Sequence, residues 1–178
     1  MRVLRKSAKS ISLQTKISGA DALVLKSDSL AQRGEYLLAV LLLYRALDVA
    51  VHDLINKNTP FLNWSTGVYD NIKESFLEVK QSLYSKNILP VKLGFSDALI
   101  VIHLCYPQIM PFSLLKEMVK LAELRHNTWL THGKNIPTET DYLRMKKAYV
   151  PVVQQVLLEN KKLFETRKLH VDNKMEGQ

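Results

Sequence analysis

The sequence predicts an all-α fold, a bundle of five or six helices. Apolar residues recur at the three- and four-residue spacing of a helix along nearly the whole chain, and the alternating apolar and polar runs of a half-buried strand are scarce. No internal repeat, low-complexity tract or glycine-rich phosphate loop interrupts the pattern. With 178 residues, 47% of them apolar, the chain is long enough to build one globular core.

The first two helices are predicted from apolar spacing and from the glycine between them. Helix one covers about 20–33, and Gly34 separates it from helix two, about 35–56. The first half of helix two, "YLLAVLLLY", is apolar nearly all round, which predicts a position in the middle of the bundle. Its second half carries four ionisable side chains, and each would cost a few kcal/mol in hydrocarbon. A buried helix is therefore favoured over a membrane span.

The remaining four helices are predicted from apolar stripes and from residues that start or stop a helix. Ile72, Phe76, Val79 and Leu83 form one stripe, which predicts a third helix over about 69–85. The predicted boundaries of the others are Ser96 and Tyr106 for a short fourth helix, Ser113 and Gly133 for the fifth, and Thr138 or Thr140 for the start of the sixth. Pro151 is expected to kink or restart this last helix near Val150.

Polar ends flank the predicted helical domain. Residues 1–18 are basic and are interpreted as a partly flexible segment, residues 19–166 as the helical domain, and residues 167–178 as a polar tail. Lys and Arg outnumber Asp and Glu by 25 to 17, and a net charge of +8 favours a polyanion such as nucleic acid as the partner. The single cysteine, Cys105, has no partner for a disulfide or a zinc site, which fits the reducing cytoplasm. The N-terminal segment lacks the apolar run of a signal peptide.

Several familiar chemistries are excluded by the absence of their motifs. The chain contains no GxxxxGK[ST], no HExxH and no GxSxG, and its histidines do not pair with cysteines or carboxylates at metal-ligand spacing. No metal and no cofactor are therefore expected. His52 and His103 lie in apolar helices and are interpreted as core histidines.

The stretch "RHNTWLTH" is the strongest functional signal in the sequence. Arg125 and His132 lie seven residues apart, so on one helix they share a face within about 20° but stand roughly 10.5 Å apart along the axis. From one chain they would not easily serve a single phosphate. If two copies of the helix crossed with two-fold symmetry, both pairs would converge on one cleft, so the spacing predicts a homodimer with a composite site.

Arg125 to His132 resembles the R-x4-6-H signature of HEPN domains, the helical ribonuclease modules of toxins and defence systems. "YRALD", residues 44–48, is similar to the second helix of the HEPN portion of type III CRISPR accessory ribonucleases, and the two stretches occur in the expected order. The resemblance covers most of residues 20–165 and implies a HEPN-like bundle. Accessory ribonucleases of this kind usually carry a preceding sensor domain. This chain shows no βαβ pattern, so a sensor would be lost, trimmed away or supplied by a partner.

The resemblance also implies an activity and roles for individual residues. The activity is metal-independent cleavage of single-stranded RNA by attack of the 2′-hydroxyl, which leaves a 2′,3′-cyclic phosphate. Arg125 would clamp the phosphate and His132 would act as acid or base, with His126 or Asn127 orienting the substrate or His132. Arg45 and Asp48 would either form an internal ion pair or help to hold Arg125.

Two function classes follow from this resemblance. The first is an RNA-degrading effector or toxin of a prokaryotic defence system, either CRISPR-associated or paired with a cognate antitoxin. The second is a catalytically inactive HEPN-type module that binds RNA, a nucleotide or a partner protein. Cleavage of RNA in the presence of a chelator distinguishes them.

Overall fold

The computed structural model describes residues 19–58, 72–85, 88–90, 92–127 and 135–175, and within these ranges the chain forms six α-helices and no strand. The helices are α1 (Gly19–Ala31), α2 (Tyr36–Asn58), α3 (Lys73–Tyr84), α4 (Phe95–Cys105), α5 (Phe112–His126) and α6 (Glu139–Met175). The prediction of an all-α bundle is confirmed.

Helix α2 is the centre of the bundle. It packs along α1 on one side and α6 on the other, and it also contacts α4 and α5. Leu43, Leu47 and Leu54 are completely buried, as are the small residues Ala39 and Ala46. A helix surrounded on several sides needs apolar side chains all round, which is the pattern of its first half.

Gly34 ends α1 as predicted, through a hydrogen-bonded turn. The N–H of Gly34 donates to the carbonyl of Ala31 at 2.9 Å, and the N–H of Glu35 donates to the carbonyl of Leu30 at 3.0 Å. These two bonds define a Schellman motif, which requires a left-handed residue at the position of Gly34. Gly34 has φ +77°, so only a residue without a Cβ atom adopts this turn without strain.

The long helix α6 is joined to the bundle by polar contacts as well as by its apolar face. Asp28 of α1 accepts a hydrogen bond from the Tyr142 hydroxyl and pairs with Lys146 at 2.7 Å. Burial raises the pKa of Asp28, but these contacts outweigh it and hold the pKa below its usual value. The amide of Asn160 donates to Asp53 of α2 at 3.0 Å.

Three of the predicted helix boundaries are wrong. Helix α4 begins at Phe95 and α5 begins at Phe112, so Ser96 and Ser113 lie inside their first turns, and neither helix has a side chain that caps it. Phe95 is drawn into the helix by burial, because its ring packs 4.3 Å from that of Tyr44. Helix α5 ends at His126 rather than at Gly133, and Gly133 lies outside the described residues.

Helix α6 begins where the first of its two predicted caps stands. Thr138 precedes Glu139, its hydroxyl accepts a hydrogen bond from the N–H of Asp141 at 3.3 Å, and its own N–H donates to the Asp141 carboxylate at 2.9 Å. This reciprocal pair is a capping box with Asp in the acidic position. The helix continues without interruption through Pro151, so the predicted restart there is wrong. Pro151 and Lys147 are both exposed, so solvent can satisfy the carbonyl that the proline leaves without a donor.

Candidate functional site

Arg125 lies in the last turn of α5, with its side chain directed at α2. Its guanidinium carbon is 4.6 Å from the centroid of the Tyr44 ring, the geometry of a cation–π contact. Tyr44 is only 7% exposed, and its ring packs on Phe95 of α4. Arg125 is therefore half-buried on a platform that three helices hold in place.

Tyr44 is a neutral platform. Burial raises the pKa of its hydroxyl to about 12. The positive charge of the nearby Arg125 guanidinium, and a hydrogen bond between that guanidinium and the hydroxyl, oppose this rise. The phenol thus keeps its proton throughout the physiological range. It orients the guanidinium without neutralising it, which is what a phosphate clamp requires.

Asp48 lies one turn after Tyr44 on the same face of α2 and holds two side chains. Its carboxylate pairs with Arg45 and, at 3.3 Å, with Nε2 of His52. Burial raises the pKa of Asp48, but hydrogen bonds and charge from His52 and Arg45 outweigh that effect and hold the pKa below its usual value. The ion pair between Arg45 and Asp48, one of the two predicted alternatives, is present.

These residues line one open cleft of about 600 Å³. Its walls are the exposed face of α2, the chain before α4 with the first residues of that helix, and Arg125 of α5. Within the described part of the chain, the lining residues are Tyr44, Arg45, Asp48, Val49, His52, Asp53, Asn56, Lys92, Leu93, Gly94, Phe95 and Arg125. Among the described lining residues, three side chains are cationic and two are carboxylates, so an anion that enters this part of the cleft meets a positive excess.

Of the other residues of the "RHNTWLTH" stretch, Asn127 is the one whose side chain the structure describes, and it lies outside the described lining of this cleft. His126 is the last residue of α5, and Asn127 follows as an exposed turn. Asn127 lines a neighbouring hollow together with Leu124, Asn135 and Ile136. His132 lies outside the described residues, so its predicted role stays a prediction.

The end of α5 bears on the dimer argument, which assumed that α5 continues past Asn127. The N–H of Asn135 donates to the carbonyl of Asn127 at 3.2 Å, so the chain returns beside the end of the helix. A continuous helix from Asn127 to Asn135 would separate these residues by about 12 Å. The helix that carries Arg125 therefore ends at His126, and the predicted helix face shared with His132 lies outside the described residues.

His52 is a cleft residue rather than a core histidine. Its side chain is 30% exposed and lines the same cleft as Arg125. The four-residue spacing of Asp48 and His52 is a signal from which sequence reasoning could have found it, because residues at this spacing meet on a helix face. His103, by contrast, is satisfied inside the bundle, where its Nδ1 lies 2.8 Å from the carbonyl oxygen of Met110.

Two properties of the described ranges bear on the class of site. No helix within them is long and apolar enough to span a membrane. No group of three or more His, Cys, Asp or Glu side chains is arranged to hold a metal ion in this part of the molecule.

The chain was compared with known protein families and with curated proteins. The family model described as "Csm6 HEPN domain" matches residues 8–156, which is 149 of the 178 residues. No curated protein matches the chain. The match includes α1 to α5 and the cleft, together with the first half of α6. The chain belongs to the Csm6 HEPN domain family.

Proposed function

We propose that the protein is a metal-independent endoribonuclease that cleaves single-stranded RNA and acts as an effector in prokaryotic defence. Membership of the Csm6 HEPN domain family supports a ribonuclease-type function in CRISPR-associated defence and supports RNA as a partner. The observation that carries the proposal is Arg125, a cation positioned by a neutral aromatic ring at the wall of an open cleft.

The proposed chemistry is an internal transfer at the RNA phosphate. The 2′-oxygen forms a bond to phosphorus while the bond from phosphorus to the 5′-oxygen breaks, which leaves a 2′,3′-cyclic phosphate and a 5′-hydroxyl. The Arg125 guanidinium donates two hydrogen bonds to the phosphate oxygens and offsets the charge that develops on them. His132 takes the proton of the nucleophile or gives one to the leaving oxygen.

A homodimer with a composite site completes the proposal. The helical spacing that first suggested the dimer no longer supports it, because α5 ends at His126. The remaining support is the family, whose members typically pair through their HEPN domains. In a dimer, two copies of the Arg125 wall would face one RNA strand. A sensor domain or a cognate antitoxin would be a further partner of this assembly.

The proposal is tested with single-stranded RNA in the presence of EDTA. The parent protein should cleave it and leave cyclic phosphate ends, while Arg125→Ala and His132→Ala should each lower the cleavage rate by at least ~100-fold. Arg144→Ala, which removes an exposed arginine from α6, is the matched control and should cleave at the parent rate.

Full cleavage by either site variant would overturn the assignment of that residue and of the activity with it. If the parent protein leaves the RNA intact, the second function class, a catalytically inactive HEPN-type binding module, explains the protein better. Mixing the two inactive variants tests the shared site, because a mixed dimer keeps one intact arginine and one intact histidine in the common cleft. Recovery of cleavage on mixing would support a site built from two chains.

A further inference from the structure

The cleft extends well beyond the residue that would clamp the phosphate. Tyr44, under Arg125, and His52 are eight residues apart on one face of α2, which corresponds to about 12 Å along the helix axis. One phosphate group does not fill such a length. The part of the cleft around Asp48 and His52 therefore has room for a neighbouring nucleotide.

The charges in this part of the cleft suit a nucleic-acid backbone. Arg45 is 62% exposed although Asp48 holds its guanidinium, and Lys92 is exposed on the opposite wall, in the chain before α4. Both cations can reach a strand lying between the walls. The carboxylate of Asp53 is occupied by Lys57 at 2.7 Å and by Asn160, so its repulsion of phosphate is reduced.

The His52 ring is fixed in this space. Its Nε2 lies 3.3 Å from the ionised Asp48 carboxylate, which in turn is held by Arg45. A planar ring whose rotamer is already set loses little entropy when a ligand packs against it. Proteins that bind single-stranded RNA use such rings, histidine included, as stacking surfaces for unpaired bases.

We propose that Arg45, Asp48, His52 and Lys92 form a subsite for the nucleotide next to the scissile phosphate of single-stranded RNA, with the His52 ring stacking on its base and Lys92 contacting its phosphate. The inference rests on the proposed function in one respect, that Arg125 holds the scissile phosphate. It assigns a role in binding to residues that the proposed chemistry does not use.

The first test measures binding of single-stranded RNA in which every 2′-hydroxyl is replaced by fluorine, so that no nucleophile is present. His52→Gln keeps an N–H donor for Asp48 and removes the ring, and it should weaken binding by at least ~5-fold in fluorescence anisotropy. His52→Phe keeps a ring and removes the donor, and it should bind nearly as tightly as the parent protein. Equal affinity of the parent and His52→Gln would overturn the stacking role.

The second test isolates the interaction of Lys92 with phosphate. Lys92→Ala should reduce the slope of log affinity against log salt concentration by about 0.7, the change expected when the protein neutralises one phosphate fewer on a single strand. Lys147→Ala removes the same charge from an exposed position on α6 and should leave the slope unchanged. A slope that does not differ between these two variants would remove Lys92 from the subsite.

Binding and cleavage together separate this inference from the proposed function. One outcome is that natural RNA is not cleaved but the fluorinated RNA binds with the expected dependence on His52 and Lys92. This result would support the subsite and contradict the ribonuclease assignment. If natural RNA is cleaved and these variants bind the fluorinated RNA as the parent does, the result would contradict the subsite and support the ribonuclease assignment. If both hold, His52→Gln should raise KM by the same factor as it weakens binding, with a smaller effect on kcat.

Discussion

Tyr44 belongs to the hydrophobic core and to the candidate site at the same time. Its ring packs on Phe95 and also carries the Arg125 guanidinium. Sequence reasoning identifies Arg125 from its motif and Tyr44 only as a member of "YRALD". The contact between them could not be predicted, because it joins residues 81 positions apart on two different helices.

Substitution of Tyr44 should affect cleavage through Arg125. Tyr44→Phe keeps the ring and should cleave RNA within ~3-fold of the parent rate. Tyr44→Leu removes the cation–π contact, worth about 1–2 kcal/mol when desolvated, and should lower kcat/KM by roughly 5- to 30-fold. Melting temperatures recorded for both variants separate this effect from a loss of core packing. A Leu variant as active as the Phe variant would show that the ring does not position Arg125.

The ends of helices were predictable where local chemistry determines them. Gly34 ends α1 because its turn needs a left-handed residue, and Thr138 begins α6 because its hydroxyl and the Asp141 carboxylate bond reciprocally. Ser96 and Ser113 look equally suitable as caps in the sequence. Both predictions are wrong because α4 and α5 begin one residue earlier, at phenylalanines that pack on rings of other helices, and the local sequence does not record these tertiary contacts.

The capping box of α6 gives a prediction with an internal control. Thr138→Ala should lower the free energy of unfolding by about 1 kcal/mol, because it leaves the N–H of Asp141 without its side-chain acceptor. Thr140→Ala changes the same residue type two positions later, at an exposed site inside the helix, and should change stability by less than about 0.5 kcal/mol. Urea denaturation measures both values. Equal effects of the two substitutions would contradict the assigned start of α6.

At the scale of the whole molecule, the sequence predicts the fold class and the order of helices but not the assembly. The apolar length of α2 marks it as the central helix, and the structure confirms that it contacts α1, α4, α5 and α6. Pairing of two chains depends on surface shape, which periodicity does not encode. The proposed assembly therefore rests on the family and not on the periodicity of this chain.

We predict a homodimer in solution. Light scattering should give a mass of about 41 kDa, twice the 20.4 kDa of one chain. Arg125→Ala, which removes a half-buried cation without changing the core, should keep this mass, so that loss of activity and loss of assembly can be told apart. A monomer at micromolar concentration would count against a site shared between chains and would leave the fold unaffected.

The hydrogen bond between Asn127 and Asn135 bears on how such a motif can vary in length. If Arg125 and the motif histidine shared a helix, each inserted residue would turn the histidine by about 100° away from the arginine. Here a backbone hydrogen bond joins Asn127 and Asn135, which flank the position of His132, and the entropic cost of lengthening a chain between two joined ends grows only slowly with its length. This hydrogen bond permits a signature with four, five or six residues between the arginine and the histidine. Arg125 keeps its place on α5 while the chain that follows lengthens or shortens.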